Sequence, residues 1–482
     1  MQQSRVETAP LPRQRGRVAA RVIRPPRGLV AQPLPYLLGV TFFGVYALIS
    51  LLRFRKVENP SWDLAIFEQA VKGYAHFDAP IVDVRAPGMN QLGDHFSPIL
   101  AVLAPVYRVF PSAVTLLLAQ ALLFAISVVP VTRVAARVLG DTRGLAIGVA
   151  YGLSWGVQRA VEFDFHEIAF AVPIIAYTME KLQLGRWRAA ALWCLPLLLV
   201  KEDLALTVGA VGLFLLIRRR WWLGGGLVVV GAAAMALMVY VLIPALNPHG
   251  VYEQGKSAGG GSLFGIFGGF PQDLVWPFIK VKTLLWVFGA VGFLALRSPL
   301  AVVAAPTLVW RLLSDTPNHW GQDWHYNAVL MPIVFIALVD GIKRARASRS
   351  PWQRKYAREL PAAVAAMALA LCAFLPASRL IEPDEYRTPP RLHPANAAVA
   401  RVAKGSTVET DLGLISQLPS RARVFWIGAT GGVVPDYVAV LQPEIWDDDA
   451  REQLIDEAAE RHGGARYDVV FANQFVILKH IG

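Results

Sequence analysis

Residues 188–217 have the sequence RAAALWCLPLLLVKEDLALTVGAVGLFLLI, in which Lys201-Glu202-Asp203 interrupts an otherwise apolar run. One continuous helix would place this triad inside a bilayer, at a cost of about 2.5 to 3.5 kcal/mol for each charge. It would also separate the arginines before the run from Arg218-Arg219-Arg220, which follow it, across the membrane. The pattern therefore predicts two spans with the triad between them at one membrane surface, although each is short for a bilayer core of about 30 Å.

The rest of the chain repeats this alternation of apolar runs and charged breaks. Of its 482 residues, 55% are hydrophobic and 17% are charged, and the mean hydropathy is +0.43. Such runs form helices in lipid because a helix satisfies its own backbone hydrogen bonds. The predicted fold class is a multi-pass α-helical membrane protein with about eleven transmembrane helices, at 34–52, 112–132, 144–158, 168–184, 188–200, 204–217, 221–244, 280–296, 299–313, 326–342 and 359–377.

Charge and cysteine content exclude several classes of protein. The formal net charge of +12 comes from Lys and Arg residues at span ends rather than from a polar domain with interleaved aromatics. This distribution excludes nucleic acid as the expected partner. Both cysteines, Cys194 and Cys372, lie in apolar segments, which excludes a disulfide framework and a cysteine metal site.

The distribution of basic residues also predicts the topology. They are dense in the tail 1–33, which we expect to be disordered, and in every second connection, which predicts a plasma-membrane protein with a cytoplasmic N-terminus. The membrane domain then covers 34–377, with a long first outer loop at 54–111. Residues 378–482 are predicted to form a small extracytoplasmic α/β domain, with strands at 424–427, 437–441, 467–471 and 475–478 and a helix near 449–462.

Two outer segments have unusual composition. The apolar segment 96–110 is short and broken by prolines, so we expect it to be re-entrant or interfacial rather than spanning. Glycines crowd 255–270 without phosphate-loop spacing, which predicts a mobile outer loop that serves either as a lid or as a linker.

Acidic and histidine residues fall at the ends of the predicted spans, all on the non-cytoplasmic face. Asp63 starts a predicted amphipathic helix at the membrane interface, where it either caps that helix or carries chemistry. Asp94-His95 either share a proton or an ion, or simply form a turn. The triad residue Lys201 either pairs with its acidic neighbours or faces a phosphate.

The densest cluster is Glu162-Phe163-Asp164-Phe165-His166-Glu167. In an extended segment, alternation would put Glu162, Asp164 and His166 on one side, a set suited to a divalent metal ion such as Mg²⁺ or Mn²⁺, or to sugar hydroxyls. In a helix, the spacing would pair Asp164 with Glu167 or Glu162 with His166 instead.

A later outer loop, residues 318–326, combines His319, Asp323 and His325 with two tryptophans. The tryptophans are either interfacial anchors or platforms that stack on sugar rings, and the histidines have no obvious packing role. Together these clusters predict one polar site built from many loops at one membrane surface.

This combination of motifs resembles an uncharacterised bacterial family of predicted membrane proteins. The motifs are Trp62-Asp63, Gly93-Asp94-His95-Phe96-Ser97-Pro98, residues 162–167, Lys201-Glu202-Asp203, the late His-rich loop and the exterior α/β domain. That family is similar in layout to the GT-C glycosyltransferases, such as protein mannosyltransferases, aminoarabinose transferases and oligosaccharyltransferases. The resemblance extends over nearly the whole chain from about residue 34.

The resemblance implies a function. GT-C enzymes use a polyprenyl-phosphate-sugar donor and keep a catalytic aspartate in the first outer loop, which corresponds to Asp63 here. The acid is often one of an adjacent pair in that family, whereas here Leu64 follows Asp63 and the next acid is Glu68. Membrane lipid, the donor and an extracytoplasmic glycan, lipid or protein acceptor would be the partners. Substrate would be bound by Asp94, His95, Arg159, Glu167, Lys201, Glu202, Asp203, His319, Asp323 and His325.

Two other functions compete with a glycosyltransferase. An ion-coupled transporter or lipid flippase would place charges near the bilayer midplane and often has repeated halves, whereas these charges lie at span ends. A non-catalytic envelope protein would not need several acid and histidine clusters on one surface.

Overall fold

The computed structural model describes residues 33–253 and 272–482, with the side chain of Asp273 excepted. The predicted basic tail, apart from Pro33, and the glycine-rich segment 255–270 lie outside the described residues. From Leu34 to Gly482 the chain forms one compact unit.

Each apolar run that was predicted to span contains a helix. The first half of the chain contributes α1 (Leu34–Arg55), α5 (Ala113–Leu139), α6 (Asp141–Gly152), α7 (Trp155–Phe163), α8 (Ile168–Gln183), α9 (Trp187–Cys194), α10 (Leu204–Ile217), α11 (Trp221–Leu237) and α12 (Ile243–Leu246). The second half contributes α13 (Ile279–Gly289), α14 (Ala305–Leu313), α15 (Leu330–Arg346) and α16 (Pro351–Leu371).

Four helical segments in the described part of the chain are long and apolar enough to cross a membrane, namely Leu34–Arg55, Ala113–Leu139, Trp221–Leu246 and Pro351–Phe374. The remaining apolar helices are shorter. A 3-10 turn at Leu195–Leu199 extends α9, one at Pro299–Ala304 leads into α14, and another lies at Leu294–Arg297. The number of spans, about eleven, therefore stays a prediction. The predicted interruption of the helix at Lys201-Glu202-Asp203 is present, because α9 and its 3-10 extension end at Leu199 and α10 begins at Leu204.

The first loop is compact and helical. It contains α2 (Asp63–Ala75), α3 (Gln91–Asp94), a 3-10 turn at Pro98–Leu103 and α4 (Ala104–Val109). The Pro-broken segment thus forms two short helices that pack on α2, where the Tyr107 hydroxyl donates to Glu68 at 2.9 Å. Pro98 and Pro105 stand within the first two positions of these helices, where a missing N–H is tolerated.

The C-terminal residues form a five-stranded mixed sheet with helices α17 (Leu392–Arg401) and α18 (Asp448–Arg461). Its strands are β1 (Thr407–Thr410), β2 (Arg423–Trp426), β3 (Tyr437–Leu441), β4 (Tyr467–Asn473) and β5 (Phe475–His480), in the order β2-β1-β3-β5-β4. β1 runs parallel to β2 and β3, and β5 runs antiparallel to β3 and β4. The four predicted strands and the predicted helix are present, and β1 is a strand that the sequence did not reveal.

Candidate functional site

Helix α2 carries Asp63 at its first position. Nine of its residues are buried: Leu64, Ala65, Ile66, Phe67, Glu68, Gln69, Ala70, Val71 and Ala75. A helix buried around most of its circumference packs inside protein rather than along a lipid surface. The interfacial amphipathic helix that the sequence predicted is therefore wrong in its surroundings, although the helix itself and its start at Asp63 are correct.

The C-terminal sheet covers one side of α2. The amide of Gln69 donates to the backbone oxygen of Val424 at 2.8 Å, and the ammonium of Lys72 donates to Pro419 at 2.7 Å. Just before the helix begins, the Trp62 ring meets Trp426 edge to face, with ring centroids 5.2 Å apart. These contacts hold the start of α2, and with it Asp63, between the membrane helices and the sheet.

A buried carboxylate, Glu167, lies beneath this helix. It contacts His166 Nδ1 at 2.5 Å and Lys201 Nζ at 3.0 Å. Burial alone would raise the pKa of Glu167, but His166 and Lys201 outweigh it and hold that pKa well below its usual range. Burial would likewise lower the pKa of Lys201, and Glu167 reverses that effect. The pair is therefore ionised at neutral pH, and Phe67, one turn after Asp63, packs against His166 at 4.9 Å.

The other two triad residues differ from each other. Glu202 accepts from His95 Nδ1 at 2.8 Å, from the backbone N–H of Phe96 at 3.1 Å and from the hydroxyl of Tyr252 at 3.0 Å. Burial opposes ionisation of Glu202, yet His95 lowers its pKa to about 2. Burial raises the pKa of Asp203 to about 6 despite Lys201, and its buried Oδ1 has no hydrogen-bond partner.

The three predicted metal ligands have different partners, and two of them pair with arginines. Glu162 bridges Arg159 at 2.9 Å and Arg379 at 2.7 Å, and Asp164 pairs with Arg53 at 2.6 Å. The third, His166, contacts Glu167. Within residues 33–253 and 272–482, no group of three His, Cys, Asp or Glu side chains is arranged to hold a metal ion. These donors do not fit a metal site, and no chemical step is assigned to one.

Helix geometry explains this separation. Glu162 still belongs to α7, which ends at Phe163, and the backbone becomes extended only at Asp164. Gln120 on α5 fixes the break, since its amide donates to the Asp164 oxygen at 2.8 Å and accepts from the His166 N–H at 3.1 Å. The alternation that would align the three side chains is therefore absent. Burial raises the pKa of Asp164 to about 6, although Arg53 opposes the rise.

The late loop, residues 318–326, places a histidine against His166. His325 is buried and stacks on His166, with ring centroids 3.6 Å apart, and neither of its ring nitrogens has a hydrogen-bond partner. Burial, with His166 and Lys201, holds the pKa of His325 well below its usual value. His319 contacts the Ser314 hydroxyl at 2.6 Å, and burial lowers its pKa to about 4. Both histidines are therefore neutral at physiological pH.

Arg311 was missed by the sequence analysis. Its guanidinium is 1% exposed and donates to the backbone oxygens of His319 at 2.8 Å and Gly321 at 3.0 Å, and to the side chain of Asn327 at 2.8 Å. It thereby fixes the loop that carries His325. Its only sequence signal is one arginine within an apolar helix, which is rare enough to mark a functional or structural contact.

The remaining predicted residues lie at the margin of this cluster. Asp94 is buried and contacts Arg85 at 3.4 Å, and Arg85 also reaches Glu253 at 3.7 Å. Arg159 is 4.0 Å from Asp323, whose side chain is 70% exposed. Trp324 from the late loop packs edge-on against Phe163, with ring centroids 5.0 Å apart.

Asp63 interacts electrostatically with the centre of the cluster. Burial raises the pKa of its carboxyl, Glu167 adds to the rise, and His166 and Lys201 oppose it. The residue itself is only partly buried, unlike Glu167 and Glu202. A partly accessible carboxylate with a raised pKa, next to a fixed ammonium, can accept a proton from a bound hydroxyl near neutral pH.

Comparisons with known proteins agree with this architecture. The family described as predicted membrane protein DUF2079 matches residues 56–470. No curated protein matches the sequence. The crystal structure of ArnT from Cupriavidus metallidurans bound to undecaprenyl phosphate is similar with a TM-score of 0.57 and 13% identity, over 93% of this chain and 98% of ArnT. Its apo structure gives a TM-score of 0.49 and 12% identity, over 92% and 97%. At such identity the similarity concerns the fold.

Proposed function

The chain belongs to the DUF2079 family of predicted membrane proteins and has an ArnT-like GT-C fold, and from this premise we propose that it is a glycosyltransferase. It would transfer a sugar from a polyprenyl-phosphate donor to an extracytoplasmic acceptor. ArnT supports the donor class, because its structure holds undecaprenyl phosphate. The candidate site and the C-terminal domain would then face the outside of the plasma membrane.

The main support for the proposal is that Asp63 is a partly accessible carboxyl with a raised pKa, next to a cluster in which Glu167 and Glu202 are already paired. Glu167 forms ion-pair contacts with Lys201 and His166, and Glu202 forms one with His95. Among these acids, Asp63 combines access with a raised pKa. A general base needs both properties, because it must reach its proton and hold it near neutral pH.

The proposed reaction is a single displacement. The acceptor hydroxyl oxygen attacks the anomeric carbon of the donor sugar while its proton passes to the Asp63 carboxylate. The bond between the anomeric carbon and the phosphate oxygen breaks, and polyprenyl phosphate leaves with the electron pair. Atoms and charge balance, because the proton gained by Asp63 matches the negative charge that the leaving phosphate acquires.

Two cations are candidates to stabilise that phosphate. Lys201 is the buried ammonium whose charge acts on Asp63, and Arg159 is a partly exposed guanidinium shared between Glu162 and Asp323. Fixed positive groups near the developing charge lower the barrier, since a preorganised site needs no reorientation during reaction. Glu167, by holding Lys201 at 3.0 Å, would act as a positioning residue.

The acceptor would approach Asp63 beside the sheet. Trp62 directly precedes Asp63, and Trp426 at the end of β2 packs against the Trp62 ring. The Arg85 guanidinium lies 5.9 Å from the centroid of the same ring. Aromatic rings together with a cation provide faces and donors for a sugar or phosphate-bearing acceptor. The acceptor class, whether glycan, lipid or protein, is left open by these contacts.

Native mass spectrometry of the full chain purified from membranes tests the proposal. Wild type and Asp63→Asn are compared for bound polyprenyl phosphate and its glycosylated form. We expect the variant to be enriched in glycosylated lipid, because it would bind the donor without completing transfer. The mass of that adduct would identify the sugar.

Asp78→Asn serves as the matched control, since Asp78 is an exposed carboxyl of the same loop. It should retain the wild-type lipid profile. If neither wild type nor Asp63→Asn holds any prenyl lipid while other lipids are retained, the transferase proposal fails. A transport assay in vesicles would then be the next experiment.

A further inference from the structure

The end of the helices opposite the candidate site carries a cluster of arginines. Two turns form it: the connection from α8 to α9 and the connection from α10 to α11. Their exposed members are Arg186, Arg188, Arg218, Arg219 and Arg220, which we call the arginine cluster. The two turns meet around one ring, because the Arg218 and Arg220 guanidiniums lie 5.7 and 5.9 Å from the centroid of Trp187.

These charges have no acidic counterpart in the described parts of the chain. None of the five arginines forms an ion pair or a side-chain hydrogen bond there. Glu180, the acid nearest in sequence to the first turn, is occupied by Arg133 at 2.5 Å and by Lys181 at 2.9 Å. Five like charges held close together repel one another, so the arrangement favours binding of an external anion.

Tryptophans beside the cluster indicate where that anion lies. Trp221 and Trp222 begin the apolar segment Trp221–Leu246 and are 65% and 97% exposed. Most of this segment faces outward, since only 22% of its apolar window is buried. Tryptophan at the end of a span sits at the level of the lipid headgroups. The arginine cluster is therefore at headgroup depth, next to lipid.

We propose that the arginine cluster is a binding site for the phosphate headgroup of an anionic glycerophospholipid. Guanidinium groups form bidentate hydrogen bonds with phosphate. Basic pockets between membrane helices bind anionic lipid headgroups. Both guanidiniums lie close to the half-buried Trp187 ring, which brings Arg218 and Arg220 to the same place at the ends of the two turns. The acyl chains would lie along the exposed face of α11.

This site is separate from the candidate catalytic site. α8 follows Glu167 directly and has 16 residues, and α10 follows Asp203 directly and has 14. At 1.5 Å per residue, these helices place the arginine cluster about 20 to 25 Å from the acids of the candidate site. The proposal therefore stands whether or not the protein is a glycosyltransferase.

Lipid titration followed by native mass spectrometry of the full chain in mild detergent tests it, with phosphatidylglycerol and phosphatidylcholine as probes. We expect wild type to prefer phosphatidylglycerol. Arg218→Gln with Arg220→Gln should weaken that binding by about thirtyfold, since each of the two basic side chains near an anionic headgroup contributes about 1 kcal/mol. Phosphatidylcholine binding should not change.

The matched control is Arg137→Gln with Arg143→Gln, which removes two exposed charges at the same end of the helices. It should keep the wild-type preference. Equal loss in both double variants, or no preference in wild type, would overturn the proposal. Displacement of the lipid by millimolar inorganic phosphate would identify a free-anion site instead and overturn it too. Arg186→Gln with Arg188→Gln gives an independent variant if the first pair does not elute as folded protein.

Discussion

The molecule contains two buried glutamates, each paired with a histidine and with a second cation. Glu167 in the candidate site contacts His166 and Lys201 at 2.5 and 3.0 Å. Glu409 in strand β1 contacts His462 and, at 2.9 Å, Arg461. Both carboxylates are 0% exposed. Each carboxylate is buried and has a histidine and a second cation as partners, so these properties alone do not distinguish a functional cluster from a structural one.

The surroundings of the two glutamates differ. Both Glu409 oxygens accept hydrogen bonds, and one of them also accepts from the Gly428 N–H at 3.1 Å. One buried nitrogen of Arg461 lacks a partner there, whereas around Glu167 three residues, His325, Asp164 and Asp203, keep buried polar atoms without partners. Unused hydrogen-bonding capacity beside a partly accessible acid, Asp63, marks the cluster that is built to meet a ligand.

Asp63 is the residue whose substitution we expect to reduce activity most. Asp63→Asn should reduce sugar transfer by about 10² to 10⁴-fold, the usual contribution of a general base. Unfolding temperature should stay close to that of wild type, because the side chain is only partly buried. Transfer is measured with the glycosylated lipid that co-purifies, and full activity in this variant would contradict the assignment.

Glu409→Gln tests the structural side of the comparison. Neutralising Glu409 leaves Arg461 and His462 without their anion, and breaking such a buried pair costs about 3 to 5 kcal/mol. Thermal unfolding of the full chain should shift downward, while the folded fraction keeps its transfer rate. Asp456→Asn, at an exposed position of α18, should change neither quantity. A loss of activity without loss of stability would give Glu409 a functional role.

The pH dependence of sugar transfer tests whether Asp63 is the general base. Activity requires the ionised base, so the rate rises as pH rises through the raised pKa of Asp63. Glu167→Gln removes an anion that raises this pKa, and the acidic limb should move to lower pH. Lys201→Gln removes a cation that lowers it, and the limb should move to higher pH. Shifts in the same direction would show that the titrating group is another residue.

Glu68→Gln probes the buried side of α2. Burial raises the pKa of Glu68 to about 8, although Tyr107 and Lys72 oppose the rise. Between the unfolded value of about 4.3 and this value, the folded state holds a proton that the unfolded state has lost, so wild-type stability falls as pH rises.

Glutamine carries no such dependence. The unfolding temperature of Glu68→Gln relative to wild type should therefore increase from about pH 5 to about pH 8. Glu58→Gln, an exposed neighbour in the same loop, should show no such trend. A constant difference between Glu68→Gln and wild type across this range would mean that Glu68 is ionised in the folded protein.

The sequence predicted the helices and most of the sheet because hydrophobic period and helix breaks are local signals. The break at Lys201-Glu202-Asp203 is present, since charge inside an apolar run is costly wherever the chain goes. Strand β1 was missed because Thr407-Val408-Glu409-Thr410 is short and contains an acid. The side-chain partners of the buried Glu409 lie about fifty positions later, a contact that no local pattern reveals.

The sequence predicted which residues lie in the site better than it predicted which of them contact one another. Asp63, His95, the acids at 162–167 and the triad do meet at one end of the helices, because they follow from where spans end. Which acid meets which cation depends on tertiary contacts, so the grouping of Glu162, Asp164 and His166 was wrong as a metal set. Arg311 was missed for the same reason, since its partners are defined by the fold of the late loop.

The contacts of Gln69 and Lys72 with the backbone of residues 419–424 have a genetic consequence. Because those contacts seat the helix that begins with Asp63, a missense allele in the sheet can abolish function while the protein is still made and inserted. A random screen for inactive alleles would therefore recover residues 419–426 together with the Asp63 neighbourhood. Second-site suppressors of such alleles should arise in α2.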